Sequence, residues 1–327
     1  MAKLKSYSLL LAALLALAAC SGGNDPLGEE PGGGNQPATP VKNENANNST
    51  HNPFLARLEF PRTKGGNSIL LLHRAQLQQT VSSKGCVYEY GLNYATEWDT
   101  QKKSQRWSCY QLYKNIKTKN VERYYSTTNQ YPRDPLLDDE YYFSTDPFRG
   151  SGYDHGHICP SADRLGTSEA NIQTFYLTNM QPMLDSWGDD SNGFNEGIWA
   201  DMEAKVRSWD NDSFRDTLFV CKGGTIDDPQ NILETRPNGL IVPKYYFMAV
   251  LCKYHKGTQV KYKAMAFYIE HKLYPTGSKL APFIINIHEL EQKTDIDFFC
   301  NLPDDIEREV ENLDRNQVLS DWNMVGR

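Results

Sequence analysis

The chain has 327 residues, 39% of them hydrophobic and 23% charged, with a formal net charge of −7 at pH 7. That length and apolar content suit one large domain with a continuous core. The acidic balance excludes binding of nucleic acid through bulk charge, so any such partner needs a local basic surface.

Lys3 and Lys5 precede an apolar run from Leu9 to Ala19, too short to cross a bilayer and about right for the core of a signal peptide. The run ends Leu17-Ala18-Ala19-Cys20, and small residues directly before a cysteine resemble a bacterial lipobox. Cleavage before Cys20 would leave its thiol to carry a diacylglyceryl group and the new amine to carry a further acyl chain. Several acyl chains hold a protein stably on a membrane where one would not. Residues 1–19 are therefore expected to be a lipoprotein signal peptide. The mature chain is expected on a membrane of the bacterial cell envelope, facing the periplasm or the outside. Residues 20–52 are rich in Gly, Asn and Pro and lack hydrophobic periodicity, which predicts a disordered tether. Residues 53–327 are then the folded domain. Without the two leader lysines and the net −3 of the linker, about −6 stays on that domain. Six cysteines follow Cys20, and the sequence does not choose between disulfides and buried free thiols.

Residues 87–98 alternate, with Tyr88, Tyr90, Leu92, Tyr94 and Trp98 on one strand face, and 106–113 read as a partner strand. Lys102, Lys103, Arg106, Lys114, Lys117, Lys119 and Arg123 are opposed only by Glu122, a local charge of about +6 interleaved with aromatic residues. This pattern predicts a surface for a phosphate backbone, with a solvated hairpin face as the alternative. Residues 129–149 read as a long ordered loop. In 168–179, Ile172 and Phe175 follow helical spacing behind a cap at Thr167 or Ser168. From 194, Phe194, Ile198, Met202 and Val206 form an apolar helical stripe, with Asn195, Trp199 and Glu203 along a neighbouring face. Residues 217–221 form a short strand stopped by Gly223-Gly224. Residues 240–251 and 261–269 form two more strands, turning at His255-Lys256-Gly257. A helix follows Pro303 and Asp304, with Ile306, Val310 and Leu313 on one side. Strands and helices without βαβ alternation predict an α+β fold around a mixed, largely antiparallel sheet.

The chemistry concentrates between Asp154 and Glu203, beginning with Asp154-His155-Gly156-His157-Ile158-Cys159. In an extended strand His155, His157 and Cys159 share a face. That permits three readings: a zinc site of these three residues, a catalytic His157 with structural neighbours, or histidines that only form hydrogen bonds. An amide and a carboxylate projecting from one helix, Asn195 and Glu203, suit Mg²⁺, which keeps several waters and takes few protein ligands, with an exposed polar helix face as the alternative.

The Asp-x-Gly-His motif at 154–157, Pro-Ser-Ala-Asp-Arg at 160–164, Thr-Asn-Met-Gln-Pro at 178–182 and the Asn195…Glu203 helix occur in this order. Together they resemble the DNA/RNA non-specific endonuclease family, which includes the Serratia-type nuclease and mitochondrial endonuclease G. The resemblance covers roughly residues 85–325. It implies a ββα-metal active site and Mg²⁺-dependent hydrolysis of DNA and RNA to 5′-phosphate products, with Mn²⁺ as a substitute ion. It implies His157 as general base, Asn195 as metal ligand, Glu203 as holder of metal-bound waters and Asn179 as a residue orienting the site. Asp154 would fix the motif strand, and Arg123 would bind phosphate. His155 stands where the family most often has Arg, and it could give phosphate only one charged hydrogen bond. Two alternatives remain: a lipoprotein that binds nucleic acid without cutting it, and a zinc-dependent phosphoesterase. The sequence leaves room for a homodimer.

Overall fold

The structure, a computed structural model, describes residues 42–82, 85–114, 116, 118–185, 192–209 and 215–327. The leader, Cys20, the tether up to residue 41 and Lys117 lie outside the described residues. Nine strands position the site: β1 (Ser68–Ser82), β2 (Gly85–Asp99), β3 (Ser104–Tyr113), β4 (Asp154–His157), β5 (Met180–Met183), β6 (Arg215–Gly224), β7 (Tyr245–Lys256), β8 (Gln259–Glu270) and β9 (Ile284–Ile285). Seven of them form one antiparallel sheet in the order β1-β2-β3-β6-β7-β8-β9, while β4 and β5 pair with each other. The helices are α1 (Ser168–Gln173), α2 (Ala200–Ser208), α3 (Ile287–Thr294), α4 (Asp304–Glu311) and α5 (Arg315–Asp321). The expected α+β class with a largely antiparallel sheet is the one found.

Alternate residues of the central strands feed two cores, because side chains repeat every second residue. Leu218, Val220, Met248 and Val250 pack with Ile158, Phe194, Trp199 and Met202 on one face. Phe219, Cys221, Phe247 and Ala249 pack with Ile287, Leu290, Phe298 and Val310 on the other. Covering both faces explains why these strands read as apolar runs rather than as alternating patterns.

The regular alternation expected in β2 does not hold. Leu92 pairs with Arg74 and Tyr94 with His73, so Asn93 is an extra, bulged residue. Leu92 and Ala95 therefore reach one core and Tyr94 the other, while Tyr90 is 61% exposed. The bulge leaves the Asn93 carbonyl available to the buried Arg164 guanidinium, which donates to it through Nε at 3.0 Å and Nη2 at 2.9 Å. The segment after the His157 strand is anchored to the sheet in this way.

The basic stretch is not one surface. Lys102 and Arg106 bond Asp227 at 2.7 and 2.9 Å, Arg106 also meets Asp99 at 2.7 Å, and Lys103 donates to the Tyr142 carbonyl at 2.9 Å. These groups sit at the start of β3, whereas Lys114 to Arg123 follow its far end, roughly 30 Å away at the usual rise per strand residue. Trp107 and Tyr110 are core residues, not stacking platforms.

The ordered domain also begins earlier than the composition break suggests. Asn43 Nδ2 donates to the Leu302 carbonyl at 2.7 Å, the Glu44 N–H to Asp304 at 2.9 Å and Asn45 Nδ2 to Glu307 at 2.9 Å. The stretch from 42 to 52, expected at the end of the tether, is part of the fold. Cys109, Cys159, Cys221, Cys252 and Cys300 are buried free thiols.

Candidate active site

β4 pairs with β5 so that His155 lies opposite Pro182 and His157 opposite Met180. Gly156 sits between them with no room for a side chain. A Cβ there would fall 2.4 Å from Met183 Sδ and 2.8 Å from the Gln181 carbonyl oxygen. Beyond β4 the chain is braced by Asn179, which is fully buried. Its Nδ2 donates to the Cys159 carbonyl at 2.9 Å and the Thr174 carbonyl at 2.7 Å, and its Oδ1 accepts from the Cys159 N–H at 2.9 Å. Every strong group on that amide is occupied, so Asn179 shapes the turn after His157 and does not line the cleft.

The cleft above β4 encloses about 420 Å³, and Arg123, Tyr131, Asp154, His155, His157, Asn195 and Glu203 are among its lining residues. Residues from four separate stretches of sequence are thus brought together. His157 Nε2 is buried and has no hydrogen-bond partner. The imidazole instead bonds through its other nitrogen to the His155 carbonyl. A carbonyl can only accept, so Nδ1 carries the proton and Nε2 presents a lone pair. Phe175 packs edge-on against the ring at 4.8 Å, and Trp199 Nε1 donates to the His157 carbonyl at 3.3 Å. Burial first, then the charge of Arg123, pushes the imidazole down to about 3 from its ordinary value of 6.5. The imidazole is therefore neutral at physiological pH.

Asn195 stands on a wide, π-type turn, Phe194–Trp199, in which Gly197 leaves helical dihedrals (φ −109°, ψ −116°) before α2 begins. The single regular helix expected from 194 is broken there, yet Asn195 and Glu203 still reach the same cleft. The Asn195 N–H donates to the Leu184 carbonyl at 2.9 Å. The Leu184 N–H in turn donates to His271 Nε2 at 2.8 Å, and His271 Nδ1 faces the Pro243 carbonyl at 3.0 Å. Burial pushes His271 down to about 4, which keeps it neutral in this bridging role. The Asn195 side-chain amide donates to Asp154, leaving its carbonyl oxygen to the cleft. Burial, with Asp185 close by, pushes the Asp154 carboxyl up.

A comparison with known proteins now decides the family. Residues 75–305 match the DNA/RNA non-specific endonuclease family. The chain belongs to that family. It is 29% identical over 182 residues to Nuclease C1 of Cunninghamella echinulata var. echinulata, covering 53% of this chain and 68% of that one. It is 24% identical over 235 residues to the mitochondrial nuclease EXOG of Mus musculus, covering 68% of this chain and 58% of that one. It is 27% identical to Nuclease 1, mitochondrial, of Schizosaccharomyces pombe, of which it spans 49%. A chain in the crystal structure of the EndoG/EndoGI complex superimposes with a TM-score of 0.51 at 20% identity, covering 64% of this chain and 84% of that chain. That likeness speaks for the fold.

In this non-specific endonuclease family member, Glu203 rises from α2 and pairs with Lys222 of β6. Burial, offset in part by Lys222, pushes the Glu203 carboxyl up. One turn further, Arg207 Nε bonds Asp163 at 2.5 Å. Arg123 donates to Ser161 Oγ and lies 4.8 Å over the Phe175 ring. His155 is sandwiched between Tyr131 at 3.7 Å and Phe148 at 4.4 Å, and its Nε2 faces Asp146 at 3.0 Å. Against the effect of burial, that hydrogen bond holds Asp146 below the ordinary carboxylate range.

The three residues of the zinc reading do not converge. His155 is committed to Asp146, His157 keeps only Nε2 unpartnered, and Cys159 is buried in the core with burial pushing its thiol up to about 12. Among the described residues no group of three or more His, Cys, Asp or Glu is arranged to hold a metal ion. The oxygen donors of Asn195, Asp154, Glu196 and Glu203 around one cleft fit a hard cation that keeps most of its waters. Sequence reasoning missed Lys222, His271, Asp146 and the Arg207–Asp163 pair. Arg207 was within reach, four residues after Glu203 on one helix face. Lys222 also left a signal, a lone cation continuing the apolar run Leu218–Cys221.

Proposed function

We propose that the chain is a Mg²⁺-dependent, sugar-non-specific endonuclease that hydrolyses phosphodiester bonds of DNA and RNA and leaves 5′-phosphates. The observation that carries this reading is the unpartnered, buried His157 Nε2 lone pair on a residue that lines a cleft shared with Arg123, Asn195 and Glu203. His157 Nε2 takes a proton from a water as that water attacks phosphorus, and the His155 carbonyl steadies the imidazolium that forms. Arg123, fixed by Ser161 and Phe175, holds the phosphate by a charge-assisted hydrogen bond. The Asn195 carbonyl oxygen would hold the ion, oriented by Asp154, with Glu203 retaining the ion's waters. When bound, Mg²⁺ stabilises charge on the pentacoordinate transition state and on the departing 3′ oxygen. Phosphate contacts without base contacts account for weak sequence preference. The leader and Cys20 support a lipid-anchored place in a bacterial envelope, on the periplasmic or outer face. Loss of membrane fractionation in Cys20→Ser tests that placement.

The activity test takes residues 21–327, supercoiled plasmid and structured RNA, with Mg²⁺, Zn²⁺ or EDTA, beside His157→Ala. Cleavage of both substrates in Mg²⁺ is expected, abolished by EDTA and reduced about 10²–10⁴-fold in the variant, the usual worth of a general base. Binding without cleavage in any metal would replace this reading with that of a nucleic-acid-binding lipoprotein.

A further inference from the structure

Lys222 is completely buried, on the same β6 face as Leu218 and Val220 beneath the cleft. It does not line the cleft, so it does not touch a substrate there. An ammonium group in such a place is strongly disfavoured unless it is paired. Two partners supply the compensation. Its Nζ bonds Glu203 Oε1, and it sits 4.6 Å over the Trp199 ring. Trp199 is the residue whose indole N–H holds the His157 carbonyl. One strand cation therefore touches both the carboxylate of α2 and the ring that supports the base.

The pairing also constrains the carboxylate. With Oε1 held by Lys222, Glu203 has one oxygen left to present to the cleft, in one orientation. A buried carboxylate without that partner would leave its position or take up a proton. Glu203 on α2 is thus tied to β6, so its carboxylate is set by two regular elements rather than by the helix alone.

We propose that Lys222 is a positioning residue of this site, which fixes the Glu203 carboxylate from below so that Glu203 can hold water at the metal. The proposal rests on the nuclease reading above.

The test uses Lys222→Met, Lys222→Arg, Glu203→Gln and the Lys222→Met/Glu203→Gln pair in the full chain. It reads kcat and KM on plasmid separately, and Mn²⁺ affinity by calorimetry without nucleic acid. Lys222→Met is expected to lower kcat and Mn²⁺ affinity by about tenfold or more, the usual effect of losing a partner behind a metal site, with KM for plasmid almost unchanged. Lys222→Arg keeps the charge and should recover part of both losses. In the Glu203→Gln background, Lys222→Met should cost nothing further. A Lys222→Met protein with wild-type kcat and Mn²⁺ affinity overturns the proposal. A lysine that only supports the fold would lower the melting temperature and leave both quantities alone. Should Lys222→Met not fold, the two Glu203→Gln proteins still decide, because the pair leaves no buried charge unmatched there. Equal kcat and Mn²⁺ affinity support the proposal, and a further tenfold loss in either overturns it. A wild type that does not cut removes the nuclease reading, while an active wild type with an equally active Lys222→Met removes only this one.

Discussion

On the sheet face that carries the cleft, Lys222 meets Glu203 and Arg207 meets Asp163. On the opposite face, Glu291, Asp297, Glu307 and Glu311 lie together around α3, α4 and Asn45, and among the described residues no Lys or Arg forms an ion pair with any of the four. Burial acts on both sets, and its outcome depends on the partner. Near the site, Lys222 offsets part of the effect of burial on Glu203, and burial keeps two histidines neutral. On the far side burial and mutual repulsion push Glu307 up to about 7, Glu291 to about 8 and Glu311 to about 9. One face pairs buried carboxyls with cations, and the other crowds them together.

His157 and the far-face carboxyls therefore tilt stability in opposite directions. His157 binds its proton near pH 3 when folded but near 6.5 when unfolded, so it withdraws stability as pH falls through that window. The carboxyls of the far face are protonated to higher pH when folded than when unfolded. Their stability is fully present below about pH 4 and is lost as pH rises toward 9. A maximum in melting temperature between these limits is expected in a pH series.

The largest effect should come from the cleft face, at Gly156. Gly156→Ala drives a methyl group into Met183 and the Gln181 carbonyl, displacing β4 from β5. Overpacking of this kind costs about 1–3 kcal/mol. A shift of the His157 ring by about 1 Å is expected to cut turnover on the order of 100-fold. Denaturant unfolding and plasmid nicking check the two parts, and wild-type turnover in the variant would show that β4 need not hold His157 tightly.

A far-face change should do the reverse, raising stability and leaving catalysis alone. Glu311 is buried, its Oε1 has no partner, and three other carboxyls surround it. Glu311→Gln removes a group that the folded chain must keep protonated. The variant should be more stable by about 1–3 kcal/mol at pH 8, a discounted share of the pKa displacement, and no more stable at pH 4. Melting curves at the two pH values check this. A variant less stable at pH 8 would mean that the carboxylate is ionised and held by a partner.

This contrast also marks where the sequence was readable. The apolar runs of β6 to β8 and the helical spacing after Pro303 show in the sequence, because local pattern and final burial agree there. The Asn93 bulge is invisible to such reading, since one extra residue reverses every following side chain and only the pairing with β1 shows it. The basic stretch misled for a related reason. Charges close in sequence sit at opposite ends of β3, and one neutralising partner, Asp227, comes from more than a hundred residues away while the other, Asp99, lies just before the stretch. Within the site, motif order identified His157, Asn195 and Glu203, which the fold gathers around one cleft. His271 and Lys222 act through contacts across 87 and 19 residues, respectively, which spacing does not encode.

The smallest effect is expected at His155, where this chain departs from the usual arginine. Its ring faces are covered by Tyr131 and Phe148, and its Nε2 is taken by Asp146. It is therefore set as a wall of the cleft, which Arg123 also lines. His155→Arg removes the stacked ring and adds a guanidinium that Asp146 can pair bidentately, which uses up much of the new charge. The expected outcome is a change of less than about tenfold in kcat/KM, carried by KM, within the range of a single charge-assisted contact. Steady-state kinetics on plasmid at two salt concentrations check this. A collapse of kcat would make the stacked ring itself part of what holds β4, and the two faces would then differ less in how rigidly they are built than their charges suggest.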